Sequence, residues 1–293
     1  MVINKRLEKW ALLSPALVVL GLVTLVPFVQ TLWLSFTDER ITAISKPVNW
    51  IGLENYIYAI TDPDFIEALG RTIYFTLTSV GIEGVLGVAV ALLLNQKFPG
   101  RNVLRFLIIL PWAVPTIVNA IMWRLIYHPE YGALNSFLWQ MGIIPDYQSW
   151  LGTPGRALNM IIFADIWKNF PLVVYISLAA LQTVPMDLLQ ASRIEGAGAW
   201  RRFRTITLPW IMGPLLVVLV LRTIEAFRVF DIVYVMTRGG PSDSTKTASF
   251  FVYQEYFNYL RSGSGASYAV LLAAISTVLI SIYYIGARRQ AQG

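Results

Sequence analysis

Gln190-Ala191-Ser192-Arg193-Ile194-Glu195-Gly196-Ala197 is followed by Trp200-Arg201-Arg202-Phe203-Arg204 and then by Ile206-Thr207-Leu208-Pro209. This polar and basic island lies between two apolar runs, about 157–182 and 208–227, each long enough to cross a hydrocarbon core of roughly 30 Å. A short helical run, a glycine, a basic cluster and a proline predict a helix-turn-helix at a membrane surface. An island of this kind between two spans points to an all-α, polytopic membrane protein.

The composition agrees. Of 293 residues, 56% are hydrophobic and only 14% charged, and the mean hydropathy is +0.58. A soluble domain does not read this way, and the alternating period of an outer-membrane barrel is absent. The net charge of +6 falls mainly between apolar runs, so it reads as a topology signal rather than a nucleic-acid footprint. No cysteine is present, which excludes disulfides, thiolate metal sites and a cysteine nucleophile. The first apolar run follows a basic start but lacks an Ala-x-Ala site, so it is expected to stay as a first helix.

Six transmembrane helices are expected, at about 11–34, 69–94, 105–127, 157–182, 208–227 and 267–287. The chain reads as one membrane domain, with a core at about 69–287 and an additional N-terminal span. Alternate connections carry the positive charge: Lys5, Arg6 and Lys9; Lys97, Arg101 and Arg105; Arg193, Arg201, Arg202 and Arg204; Arg288 and Arg289. The 35–68 connection instead sets Arg40 and Lys46 against Asp38, Glu39, Glu54, Asp62, Asp64 and Glu67, and the 128–156 connection has Arg156 with Glu130 and Asp146. The positive-inside rule then places both termini and the opening island in the cytoplasm.

Within the spans, Gly84, Gly87 and Ala91 form a small-residue face that a neighbouring helix could approach closely. Pro111, Pro115, Pro171, Pro209 and Pro214 predict kinks or breaks. Most tryptophans lie near span ends, as an aromatic belt would.

No catalytic signature emerges. His128 is the only histidine and lies in Tyr-His-Pro-Glu at a span end, where loop packing is its expected role. The Gly240–Thr247 stretch misses the phosphate-loop pattern at Thr245, and no strand precedes it. Polar residues inside spans are the remaining candidates, since a charge at mid-membrane costs about 2.5–3.5 kcal/mol. These are Glu83, Arg124, Asp165, Lys168, Asn169, Arg222 and Glu225. Asp165 with Lys168, and Arg222 with Glu225, are spaced to pair along one helix face. They read either as a polar path for a hydrophilic solute or as internal ion pairs that fix packing.

Gln190-Ala191-Ser192, three residues, Gly196, nine residues and Ile206-x-Leu208-Pro209 resemble the EAA loop of binding-protein-dependent ABC importer permeases. The family pattern is Glu-Ala-Ala-x3-Gly-x9-Ile-x-Leu-Pro. Pro111-Trp-Ala-Val-Pro115, Ile126–Gly132 with Asn135, Ile166–Pro171 and Ala226–Asp231 through Thr237–Pro241 are similar to the carbohydrate-type branch, and the length is similar to its compact first permease subunit. Gln190 replaces the family's leading Glu, and Glu195 its usual Asp.

The resemblance implies the type I importer permease fold and an alternating-access mechanism in a bacterial or archaeal inner membrane. It implies an ATPase-coupling role for Gln190, Ala191, Ser192, Glu195, Gly196, Ala197, Arg201 and Pro209. The substrate path is expected to include Asp165, Lys168, Asn169, Arg222, Glu225 and Asp231. Expected partners are a second homologous permease subunit forming a heterodimer, an ATP-binding cassette ATPase dimer, an extracytoplasmic solute-binding protein and membrane lipid, with no nucleic acid. ATP and Mg would be bound by the ATPase, with no cofactor, metal or catalytic residue in this chain. The expected solute is a disaccharide, oligosaccharide, glycoside or polyol. Glycerol phosphate and an autonomous secondary transporter are the alternatives.

Overall fold

A computed structural model describes residues 5–42 and 47–291, with side chains for residues 10, 12–42 and 47–282. Lys46 and the side chains of Lys5, Arg6, Lys9, Arg288 and Arg289, counted above for topology, lie outside the described residues. The described chain is helical. Its helices are α1 Lys5–Leu34, α2 Glu54–Thr61, α3 Pro63–Asn95, α4 Arg101–Ala113, α5 Thr116–Ile126, α6 Ala133–Gln140, α7 Arg156–Leu181, α8 Met186–Ile194, α9 Ala199–Arg202, α10 Leu208–Phe227, α11 Asp231–Met236, α12 Ala248–Tyr253 and α13 Ser262–Ala291.

Among the described residues, five helices are long and apolar enough to cross a membrane: Leu12–Leu34, Pro63–Asn95, Arg156–Leu181, Ala199–Phe227 and Ser262–Ile282. The third expected span, 105–127, is instead the pair α4 and α5, bent by 99°. The cause is local. Pro115 has no N–H to continue a helix and forces Val114 into an extended conformation, ψ 129°. Pro171 and Pro214, by contrast, lie inside continuous helices.

Contacts divide the chain into two compact units. The first takes the residues up to Ile66 with Phe251–Ile275. There the connection after α1 is tied to the start of α13. Asn55 Nδ2 donates to the carbonyls of Ser35 (3.0 Å) and Thr37 (2.8 Å), and Gly263 N donates to Glu39 O (2.9 Å). A Cβ on Gly263 would lie 2.1 Å from Thr37 O, so this approach requires glycine. Phe65, Phe251 and Tyr268 form an aromatic cluster beside a hydrogen bond from the Tyr268 hydroxyl to Asp62.

The second unit takes Glu67–Phe250 with the chain from Ser276. Its centre is α7, whose buried residues, including Ile161, Ala164, Val173, Val174 and Leu178, surround the helix rather than form one stripe. Such a helix must be covered on several sides. Helices α4 and α10 pack on it, and α5 and α11 pack on each other. The small-residue face of α3 is used as expected: a Cβ at Gly87 would meet Val173 Cγ1 at 2.5 Å, and one at Gly84 would meet Leu219 at 3.3 Å. Ala91 is fully buried in the same core.

Candidate functional site

The opening island forms a compact helix-turn-helix. Helix α8 ends in a Schellman motif: Gly196 N donates to Arg193 O (3.0 Å) and Ala197 N to Ser192 O (2.9 Å). Gly196 takes φ +80°, the left-handed conformation that this closure requires, and Arg202 Nη1 donates to Ala197 O at 2.5 Å across the turn. Gln190, Ala191, Glu195, Gly196 and Arg201 are exposed, while Ser192 and Ala197 are half-buried. No residue of α8 is buried. Its outer surface also presents Ile194, 88% exposed, and Trp200 on α9 is 72% exposed. Sequence reasoning did not single out these two apolar side chains. Trp200 lies against Phe203 with ring centroids 5.5 Å apart, and both Ile194 and Trp200 leave most of their surface uncovered.

The expected span at 208–227 is present as α10, Leu208–Phe227, with Pro209 in its first turn. What the spacing did not predict is that no break precedes it. Helix α9 runs on through a π-helical turn, Phe203–Thr207, into α10, so Ala199–Phe227 is one continuous helix whose first turns carry the basic cluster and whose apolar part follows. The π turn lets Leu208 N reach Phe203 O, five residues back, immediately before the proline that cannot donate. Leu189 on α8 and Phe203 and Ile206 in the turn pack against the α7–α10 core, anchoring the exposed element to the spans.

Deeper in the same unit, three helices converge on one guanidinium. Arg222 on α10 is 3% exposed. Its Nε and Nη2 donate to Glu83 of α3 at 2.8 and 3.0 Å, its Nη2 to Asp165 of α7 at 3.1 Å, and its Nη1 to Glu225 at 2.6 Å. Asn169 Nδ2 donates to the other oxygen of Asp165 at 2.9 Å. The side-on fork and the further bonds satisfy a charge that would be very costly alone in hydrocarbon. The expected Arg222–Glu225 pair is present. The expected Asp165–Lys168 pair is not: Asp165 is bonded to Arg222 and Asn169, and half-buried Lys168 makes no ion pair among the described residues. A guanidinium with several donors outcompetes a single ammonium for a buried carboxylate.

Asp231, also named for the path, stands exposed at the first turn of α11, apart from this network. Arg124 is exposed and donates to Val235 O (3.2 Å). His128 stacks on Tyr131 with ring centroids 3.5 Å apart, and its Nδ1 accepts from Glu130 N (3.2 Å), a loop-packing role. Thr245, in the rejected phosphate-loop stretch, is bonded to Thr237 and to Gly240 O.

Residues 84–292 match the family described as the binding-protein-dependent transport system inner membrane component. The chain belongs to this family. It is a multi-pass permease subunit of the inner membrane, a transport component and not an enzyme. It is similar to the trehalose/maltose transport system permease protein of Thermococcus litoralis, 38% identical over 94% of this chain and 91% of that protein. It is also similar to the sulfoquinovosyl glycerol transport system permease protein of Agrobacterium fabrum, 34% identical over 96% of this chain and 90% of the relative. Among solved structures, a chain of a bacterial ABC transporter that imports the acidic polysaccharide alginate superposes with TM-score 0.83 at 21% identity, covering 97% of this chain and 96% of that one. That likeness is one of fold.

Proposed function

We propose that this permease forms part of the translocation path of an ATP-driven importer for a carbohydrate-like solute. The observation that carries the solute class is full-length similarity to permeases named for trehalose, maltose and sulfoquinovosyl glycerol. A chain with no nucleotide motif needs its energy from elsewhere. In this reading α8 and the turn to α9 dock on a separate ATPase that binds ATP and Mg, and this chain binds neither. The exposed Ile194 and Trp200, beside Gln190, Glu195 and Arg201, give that contact an apolar centre and a charged rim. Both termini and the docking element lie in the cytoplasm, following the basic connections.

A second permease completes the path as a heterodimer, and an extracytoplasmic binding protein delivers solute to the opposite face. Coupling follows if the ATPase makes different contacts with α8 in its open and closed states. Within the path, Asp165, Lys168, Asn169, Arg222 and Glu225 supply the polar groups, and Asp231 lies beyond them. The test is reconstitution of this chain with its partner permease, ATPase and binding protein, followed by uptake of trehalose, maltose and sulfoquinovosyl glycerol. ATP-dependent uptake of one of them is expected. Uptake of glycerol phosphate instead would overturn the solute class, and uptake by this chain alone down an ion gradient would overturn the coupling scheme.

A further inference from the structure

Glu83 is fully enclosed on α3, at 0% exposure, yet its carboxylate takes one whole edge of Arg222. That edge is the Nε–Nη2 side, which also reaches Asp165. Only Nη1 is left, and it holds Glu225, whose side chain is 63% exposed. A guanidinium is planar and rigid, so fixing one edge against Glu83 fixes the direction in which Nη1 points. A lysine at 222 would transmit no such direction.

We infer that Glu83 is a positioning residue of the transport path: acting through Arg222, it orients the exposed Glu225 carboxylate to accept hydrogen bonds from the hydroxyl groups of the passing solute. Glu83 itself never meets solute. Its partner is Arg222, the opposite edge of that guanidinium meets Glu225, and Glu225 carries the remaining acceptor oxygen outward. The inference rests on the reading of this chain as a permease for hydroxyl-rich solutes.

The test uses the assembled importer in liposomes, with Glu83→Gln, Glu225→Gln and the double variant, and trehalose and maltose as probes. Sugar-stimulated ATP hydrolysis falls about five- to tenfold in each single variant, and the double is no worse than the more severe single, because members of one network act non-additively. Additive losses, or wild-type stimulation in Glu83→Gln, overturn the inference. A solute-free arm separates this outcome from the functional reading. The rate at which a water-soluble carbodiimide modifies Glu225, read by mass spectrometry, rises about threefold in Glu83→Gln as the ion pair loosens. An unchanged rate overturns the inference whether or not either sugar is imported, whereas failure of both sugars with the wild type overturns only the solute assignment. Where Glu83→Gln does not assemble, Asp165→Asn loosens the same guanidinium at Nη2 and faces the same two readouts.

Discussion

Arg222 and Glu83, 139 positions apart in sequence, meet edge to edge inside the spans, with Nε to Oε2 at 2.8 Å and Nη2 to Oε1 at 3.0 Å. This pair joins α3 to α10, and Asp165 adds α7 to the same guanidinium. A buried ion group of this kind gives little net stability compared with apolar packing, but it is intolerant of losing one member.

Arg222→Leu is therefore expected to destabilise the protein by about 3–5 kcal/mol, because it leaves Glu83 and Asp165 without their cation. Thermal unfolding in detergent checks this. A melting temperature equal to the wild type would show that the network does not hold the helices together.

At the helix contact formed by Gly87, even one methyl group is too large. Gly87→Ala places a Cβ 2.5 Å from Val173 Cγ1 and 2.7 Å from Val173 Cβ. Overpacking of this kind costs about 1–3 kcal/mol. Val173→Ala removes the first contact and leaves the second, so the double variant should recover part of the loss in the same melting assay. Full independence of the two substitutions would refute the contact.

Gly196→Leu tests the docking turn differently. A Cβ there meets nothing within 4 Å, so the penalty comes from φ +80° alone, about 1–2 kcal/mol for an L-residue. Membrane insertion should be normal, while the strain lowers the population of the closed turn about tenfold, and ATP hydrolysis coupled to transport should fall with it. Gly196→Asn should lose less, since Asn tolerates the left-handed region. Equal coupling in Gly196→Leu and wild type would remove this turn from the mechanism.

Ile194→Asp and Trp200→Ser should leave the unfolding free energy within about 0.5 kcal/mol of wild type, as exposed substitutions do. Binding of the isolated ATPase should weaken by at least about 2 kcal/mol if these side chains are the central anchors of the contact. Titration of the ATPase onto liposomes carrying the permease reads the binding, and thermal unfolding in detergent reads the stability. Undiminished binding would place the docking surface elsewhere.

The apolar runs made the helices legible, since length and composition alone mark a span. The glycine and basic cluster within Gln190–Pro209 made the helix-turn-helix legible, and the Gly84–Gly87 face foretold a close helix contact. Charge pairing was legible only along a single helix. Arg222 and Glu225, three positions apart, could be matched by spacing, but the same rule matched Asp165 to Lys168, where the structure gives Asp165 to Arg222. A contact across 139 residues leaves no periodicity to read, which is why Glu83 stood out as a polar residue in a span and not as the partner of Arg222. The break at Pro115 was foreseeable in kind but not in its 99° angle, which depends on what the two halves pack against.

The π-helical turn Phe203–Thr207 has a geometric consequence for the whole stretch from Ala199 to Phe227. Over 29 residues it is a strut about 43 Å long at 1.5 Å per residue, unbroken at Pro209 and Pro214. The turn accommodates one extra residue, which advances the angular phase of everything beyond it by about 100° relative to an uninterrupted helix. The rotational setting between Trp200 at one end and Arg222 at the other is thus stored in that single added residue. Deleting it would keep the strut and turn its far face away from Glu83.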